Sequence, residues 1–202
     1  MRDRRGHPVL AAVIDPFMAP LARHREVMVP RAAGEVMELG AGTGMNFALY
    51  DPARVRSVVA VEPDPYMLRR AVPRAEAAPV PVTLVDADGA ALPFEDASFD
   101  DVVCTWVLCT IPDAAAAVAE VRRVLRPGGR LLFVEHVISP RAPMRTLQHA
   151  IDPVWTRCAG GCHLDRDTIG LLQVAGFSRV EVEPAPRVPW GLVPMVRGVA
   201  YR

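Results

Sequence analysis

The chain has 202 residues, of which 51% are apolar, enough for one domain with a substantial buried core. Its 23 basic and 23 acidic residues balance, and the basic ones, all arginine, are scattered in ones and twos, which excludes the basic stripe that grips nucleic acid. Asp15, Pro16, Pro20 and Arg23 break the first apolar stretch well short of the roughly 20 residues of a membrane span, no signal peptide is evident, and the cysteines suit free thiols, so a cytoplasmic protein without a transmembrane segment is expected.

In chain order, "PVLAAVIDPFMAPLARHREVM" (8–28) is amphipathic, and residues 1–33 are expected to form a helical segment that either covers a ligand as a lid or packs on a sheet. "VMELGAGTGMNFALY" (36–50) then reads as a buried strand, a glycine loop and a helix. Such a loop brings bare backbone N–H groups, and the positive end of a following helix, close to a ligand. Gly40, Gly42 and Gly44 read G-x-G-x-G, one residue short of the dinucleotide spacing, and Glu38 puts a carboxylate where a pyrophosphate would be repelled. S-adenosylmethionine (SAM) carries an ammonium, a sulfonium and a ribose but no phosphate, and fits this acid better than NAD does.

"RSVVAVEPD" gives a second strand ending at Glu62, 22 residues beyond Gly40, close to the offset of roughly 20 at which a Rossmann-type fold sets a carboxylate on ribose hydroxyls. A helix follows, opened by Asp64 and Pro65. "PVTLVDA" is a third strand, and after a polar loop "DDVVCTWVL" contains a fourth. Asp113 caps a helix with an apolar face of Val118, Val121, Val124 and Leu125, expected to stop at Pro127-Gly128-Gly129. "RLLFVEH" is a fifth strand. Beyond it lie a helix around 144–155, a helix "DRDTIGLLQVAGF" with Asp165 at its N-cap and Gly176 after its end, and a closing antiparallel pair, "SRVEVEPA" with "VPMVRGVAYR". Strands alternating with helices imply a single α/β domain over 1–202, a doubly wound, mostly parallel sheet with an antiparallel C-terminal hairpin. Ligands of such sheets sit at the carboxyl ends of the strands, where Glu38, Glu62, Asp88 and His136 all fall.

Together "ELGAGTG", Glu62, "LPFEDASFDDVV" and "EVRRVLRPGGRLLFVEH" resemble a class I SAM-dependent methyltransferase with its Rossmann-like sheet. "VVCTWVLCTIPD", "EHV" and "DPVWTRCAGGCHLDRDT" are more specifically similar to the methyltransferase-like alkyl thiol methyltransferases. That resemblance implies SAM as cofactor and a small-molecule thiol as acceptor. It places Glu38 and Gly40, with Gly42 and Gly44, by the methionine moiety, Glu62 on the ribose, Asp88 and the Gly89 backbone at the adenine in preference to Asp86, and Thr105 at the cofactor's edge. Animal members of that group begin with a long apolar segment that is not found here, and commonly have cysteine where this chain has Ala41.

For the acceptor side, His136 at the end of the fifth strand and His163 in "GGCHLDR" are the candidate residues. A thiol needs only to lose its proton, and with a free pKa near 8.5 a few per cent is already thiolate at neutral pH. Cys158, Cys162 and His163 form C-x3-C-H, which is not a zinc-pair spacing, so no metal is expected; Cys104 and Cys109 are expected to be packing residues, and Trp106, Trp155 and Trp190 core or pocket wall. Competing readings are an O- or C-methyltransferase of aromatic or quinone-like metabolites, an NAD-dependent oxidoreductase, and a silent SAM-binding subunit.

Overall fold

Alternate residues of the central strands serve opposite faces of one sheet, as a pleat with period two requires. Val36, Val58, Val103, Leu132 and Val134 enter one buried cluster, while their neighbours Met37, Val61, Val102, Cys104, Leu131 and Phe133 enter the other. Both faces are therefore covered, and the strands are apolar nearly throughout.

The computed structural model describes residues 6–185 and 194–202. Its strands are β1 (Gly34–Leu39), β2 (Val55–Val61), β3 (Val82–Val85), β4 (Phe99–Thr105), β5 (Leu125–His136), β6 (Arg179–Pro184) and β7 (Met195–Tyr201). They form one seven-stranded sheet in the order β3-β2-β1-β4-β5-β7-β6. The first five run parallel, and β7 lies antiparallel between β5 and β6. Strand order reverses between β1 and β4, and a crevice opens at the carboxyl ends of strands flanking such a reversal.

Helices α1 (Pro8–Met18), α2 (Ala22–Met28), α3 (Pro65–Glu76), α4 (Ala114–Val124), α5 (Ala142–Cys158) and α6 (Thr168–Val174) complete the fold. Three of these helices, α3, α4 and α6, are capped by an aspartate whose side chain accepts from an otherwise orphan N–H. Asp64 accepts from Tyr66 and Met67, and Asp113 from Ala116. α4 lays Ala117, Val118, Val121 and Val124 against one face of the sheet with Leu172 of α6, while Met28 of α2 and Ala71 of α3 cover the other.

Three details differ from the sequence-based expectations. The glycine loop leads into a single 3-10 turn at Phe47–Leu49 and not into an α-helix, so no helix dipole points at the crevice, and the N–H groups of Ala41, Gly42 and Gly44 donate to the Val61 carbonyl, the Glu62 carboxylate and the Ala41 carbonyl. α4 stops at Val124, before Pro127-Gly128-Gly129, because Leu125 is already extended and pairs with Phe99. α6 is capped by Asp167, whose carboxylate accepts from the Gly170 N–H, whereas Asp165 faces His149 at 2.8 Å. The N-terminal segment is two helices joined by a 3-10 turn at Ala19–Leu21, where Pro20 stands. Trp190 lies outside the described residues.

Candidate active site

A cavity of about 1010 Å³ opens at the carboxyl ends of β1, β2, β4 and β5, roomy for a nucleoside-sized ligand with a small second molecule. Gly40, Gly42, Glu62, Asp88, Gly89, Thr105 and His136, all named from the sequence, line it. Glu38, Gly44 and His163 are not part of its wall. Gly44 packs behind the loop, where a Cβ would stand 2.6 Å from the Phe47 ring.

At one end of the cavity the glycine loop is held open by carboxylates. Gly42 has φ +56 and nothing within 4 Å of where a Cβ would be, so its backbone borders free space; Gly40, φ +64, is pressed so close to Val107 that a Cβ would lie 2.5 Å from it. Glu62 grips both sides of the crevice, its Oε2 accepting from the Gly42 N–H and its Oε1 from the Asp64 N–H, both at 2.9 Å. Burial pushes its carboxyl above the ordinary range against these two hydrogen bonds. The space beside Gly42 and the acceptor oxygens of Glu62 fit a hydroxyl-rich, cationic ligand.

Glu38 works one layer behind. Its oxygens accept from the Tyr50 hydroxyl at 2.6 Å and the Asn46 amide at 3.1 Å, and Asn46 also donates to Thr105 Oγ1 at 3.1 Å. Full burial pushes the Glu38 carboxyl up to about 7 despite those bonds and the nearby Arg25 charge. Arg25 itself stacks 4.6 Å above the Trp106 ring, and burial lowers it to about 10. α1 closes this end from above: Leu10, Ile14 and Phe17 join the wall, and Asp15 ties the helix to Thr43 Oγ1 at 2.5 Å and Arg74 at 2.7 Å.

The other end is built around a buried acid that sequence reasoning passed over. Glu135 is completely buried, and its carboxylate accepts from the backbone N–H groups of Val107, Leu108 and Cys109 at 2.9, 3.0 and 3.3 Å and from the Cys104 thiol at 3.3 Å. These bonds shape the turn after β4, in which Trp106 takes the left-handed φ of +56. The turn delivers Cys109 to the cavity wall beside His136 and Cys162. Cys162 Sγ is 3.6 Å from His136 Nδ1. The neighbouring Cys109 thiol, with His136, draws Cys162 down to about 5, while Cys109 is pushed well above its ordinary value. His163 turns away from the cavity, its Nδ1 2.9 Å from Asp152 Oδ2. Its backbone N–H donates to the Cys109 carbonyl at 2.7 Å and so joins the two cysteine-bearing segments.

Sequence spacing gave no sign of this cluster. Cys109, His136 and Cys162 stand 27 and 26 residues apart, and only the parallel order of β4 and β5, with α5 returning over the crevice, makes them neighbours.

A sheet reversed between β1 and β4, with an acid-bracketed glycine loop at the reversal, defines a Rossmann-like transferase of the class I methyltransferase type. The model of a methyltransferase-domain family matches residues 37–133. Thiol S-methyltransferase TMT1B of Rattus norvegicus is 36% identical over 155 residues, 75% of this chain and 63% of that protein. Thiol S-methyltransferase TMT1A of Homo sapiens is 32% identical over 185 residues, 88% of this chain and 75% of that one. The chain thus spans a little under two thirds of the first relative and three quarters of the second. Among solved structures, an S-adenosylmethionine-dependent methyltransferase from Mesorhizobium loti shares the fold, with a TM-score of 0.68 at 20% identity, covering 92% of this chain and 97% of that one. The chain belongs to the class I SAM-dependent methyltransferases, which use S-adenosyl-L-methionine. Among the described residues, no helix is long and apolar enough to cross a membrane.

Proposed function

We propose that the chain, acting as one domain, methylates the sulfur of a small-molecule thiol to give a methyl thioether. SAM supplies a methyl group already activated by its sulfonium charge, so the protein's task is to align, desolvate and exclude water. Glu62 would accept from the ribose hydroxyls, the Gly40 and Gly42 backbone with Thr105 would border the methionine portion, and Asp88 with the Gly89 backbone would take the adenine. Glu38 would act through Asn46 and Tyr50, and Gly44 through Phe47, by fixing the loop. Residues 6–33 would form the lid, anchored through Asp15. His136 would face the acceptor, and His163 would position the loop that carries Cys162.

One observation carries the choice of sulfur. Among the described residues, the acids lining the cavity are Glu62, Asp64 and Asp88, all at the glycine-loop end, while the acceptor end offers His136 and the cysteines Cys109, Cys158 and Cys162 within a largely apolar wall. An alcohol or phenol would more often need a strong base there, whereas a thiol ionises near neutral pH unaided. The names of the two mammalian relatives agree with this choice, and a cytoplasmic small-molecule enzyme without nucleic-acid partners is the setting it suits.

The test is methyl transfer from labelled SAM to a panel of alkyl thiols, phenols, quinols and amines. Alkyl thiols should exceed every oxygen, carbon or nitrogen acceptor by tenfold or more. Faster turnover of a phenol or quinol would replace this reading with O- or C-methylation, and tight binding of NAD in place of SAM would remove it altogether.

A further inference from the structure

Cys109 Sγ, Cys162 Sγ and His136 Nδ1 lie within 4.8 Å of one another and all border the acceptor end of the cavity. A tetrahedral zinc holds sulfur at about 2.3 Å and nitrogen at about 2.0–2.1 Å, which sets adjacent sulfur and nitrogen ligands about 3.5–3.6 Å apart and two sulfurs about 3.8 Å apart. Cys162 Sγ and His136 Nδ1 stand 3.6 Å apart. Each ligand is carried on braced backbone. Glu135 fixes the Cys109 turn, His136 ends a strand paired to β7, and the Cys162 segment is tied to Cys109 through the His163 N–H and to α5 through Thr156.

We propose that Cys109, His136 and Cys162 form a zinc site whose fourth position opens into the cavity and receives the acceptor thiol. Two thiolates and one imidazole with an open position are the ligand pattern of a catalytic zinc, and a closed structural site would use a fourth protein ligand. The acceptor's S–H proton leaves to solvent as its sulfur binds the metal. The bound sulfur then attacks the donor's methyl carbon, forming the new C–S bond as the methyl–sulfonium bond breaks. Its electron pair passes to the departing sulfur, and the neutral thioether, a poor zinc ligand, dissociates. The site also revises the expectation of no metal, which rested on the spacing of Cys158, Cys162 and His163; of these only Cys162 is a ligand. The thiol's place on the metal rests on the proposed function above, but metal binding itself does not.

The experiment uses the full chain purified without chelator, assayed for zinc by elemental analysis, then stripped and reconstituted with cobalt(II). About one zinc per chain is expected, with tetrahedral cobalt bands and thiolate-to-cobalt charge transfer that shift when a small alkyl thiol is added. Cys162→Ser and His136→Ala should each weaken metal binding at least tenfold, whereas Cys158→Ser should retain it. SAM affinity, measured on every variant by calorimetry, reports that the fold is intact. A chain that binds SAM but takes up neither zinc nor cobalt overturns the site, as does undiminished thioether formation by metal-free protein, which leaves the thiol reading standing. A thiol-responsive cobalt protein that makes no thioether once zinc is restored would support the site and sink the function.

Discussion

The glycine-loop end of the cavity draws the groups proposed to hold SAM from consecutive strand-to-loop turns, Gly40 and Gly42 after β1, Glu62 after β2 and Asp88 after β3. The opposite end assembles Cys109, His136 and Cys162 from the turn after β4, the tip of β5 and the segment after α5. The first end follows from chain order, since a parallel sheet aligns successive strand ends whatever lies between them. The second depends on how one buried carboxylate, Glu135, folds a turn and how α5 packs back. A donor site common to many chemistries can be written in local motifs, whereas an acceptor site that distinguishes one chemistry is written in tertiary contacts.

Breaking the acceptor end at its anchor should have the largest effect. Glu135→Ala strands three backbone N–H groups and a thiol in a buried setting, and roughly 3–5 kcal/mol of stability should be lost. Denaturant unfolding measures it. A loss below about 1 kcal/mol would mean that the turn after β4 does not depend on this carboxylate.

A smaller effect, set by pH, belongs to the glycine-loop end. The Glu38 carboxyl is raised from 4.5 to about 7 by burial, so the folded protein holds its proton longer than the unfolded chain. Below about pH 4.5 both states are protonated and there is no penalty; as pH rises to about 7 the unfolded state ionises first and stability falls, by up to about 3 kcal/mol. Glu38→Gln should lack this component. The stability difference between wild type and variant should therefore move in the variant's favour between pH 4.5 and 7.5, and a difference that stays flat over that range would deny Glu38 its buried, proton-holding state.

Much of the architecture was legible because its signals are local. The strand alternation, the Asp64 and Asp113 caps and the C-terminal hairpin need only neighbouring residues, and the structure has them. The misplaced details come from competition that the sequence hides. Asp165 and Asp167 both suit an N-cap, and the contact of Asp165 with His149, 16 residues earlier, leaves the cap to Asp167. Glu38 has the spacing of a ligand-facing acid, but Tyr50 and Asn46 take up its oxygens from within the loop's own continuation. His163 looked equivalent to His136 until Asp152 claimed its ring.

The division of labour between the two ends is tested most directly by titrating SAM into Glu62→Ala and Cys162→Ala side by side with the wild type in a calorimeter. Glu62→Ala should bind SAM more weakly by about 1–3 kcal/mol, having lost a charged acceptor at the loop, while Cys162→Ala should stay within about threefold of wild type. Unchanged affinity in Glu62→Ala, or an equal loss in both variants, would contradict the account.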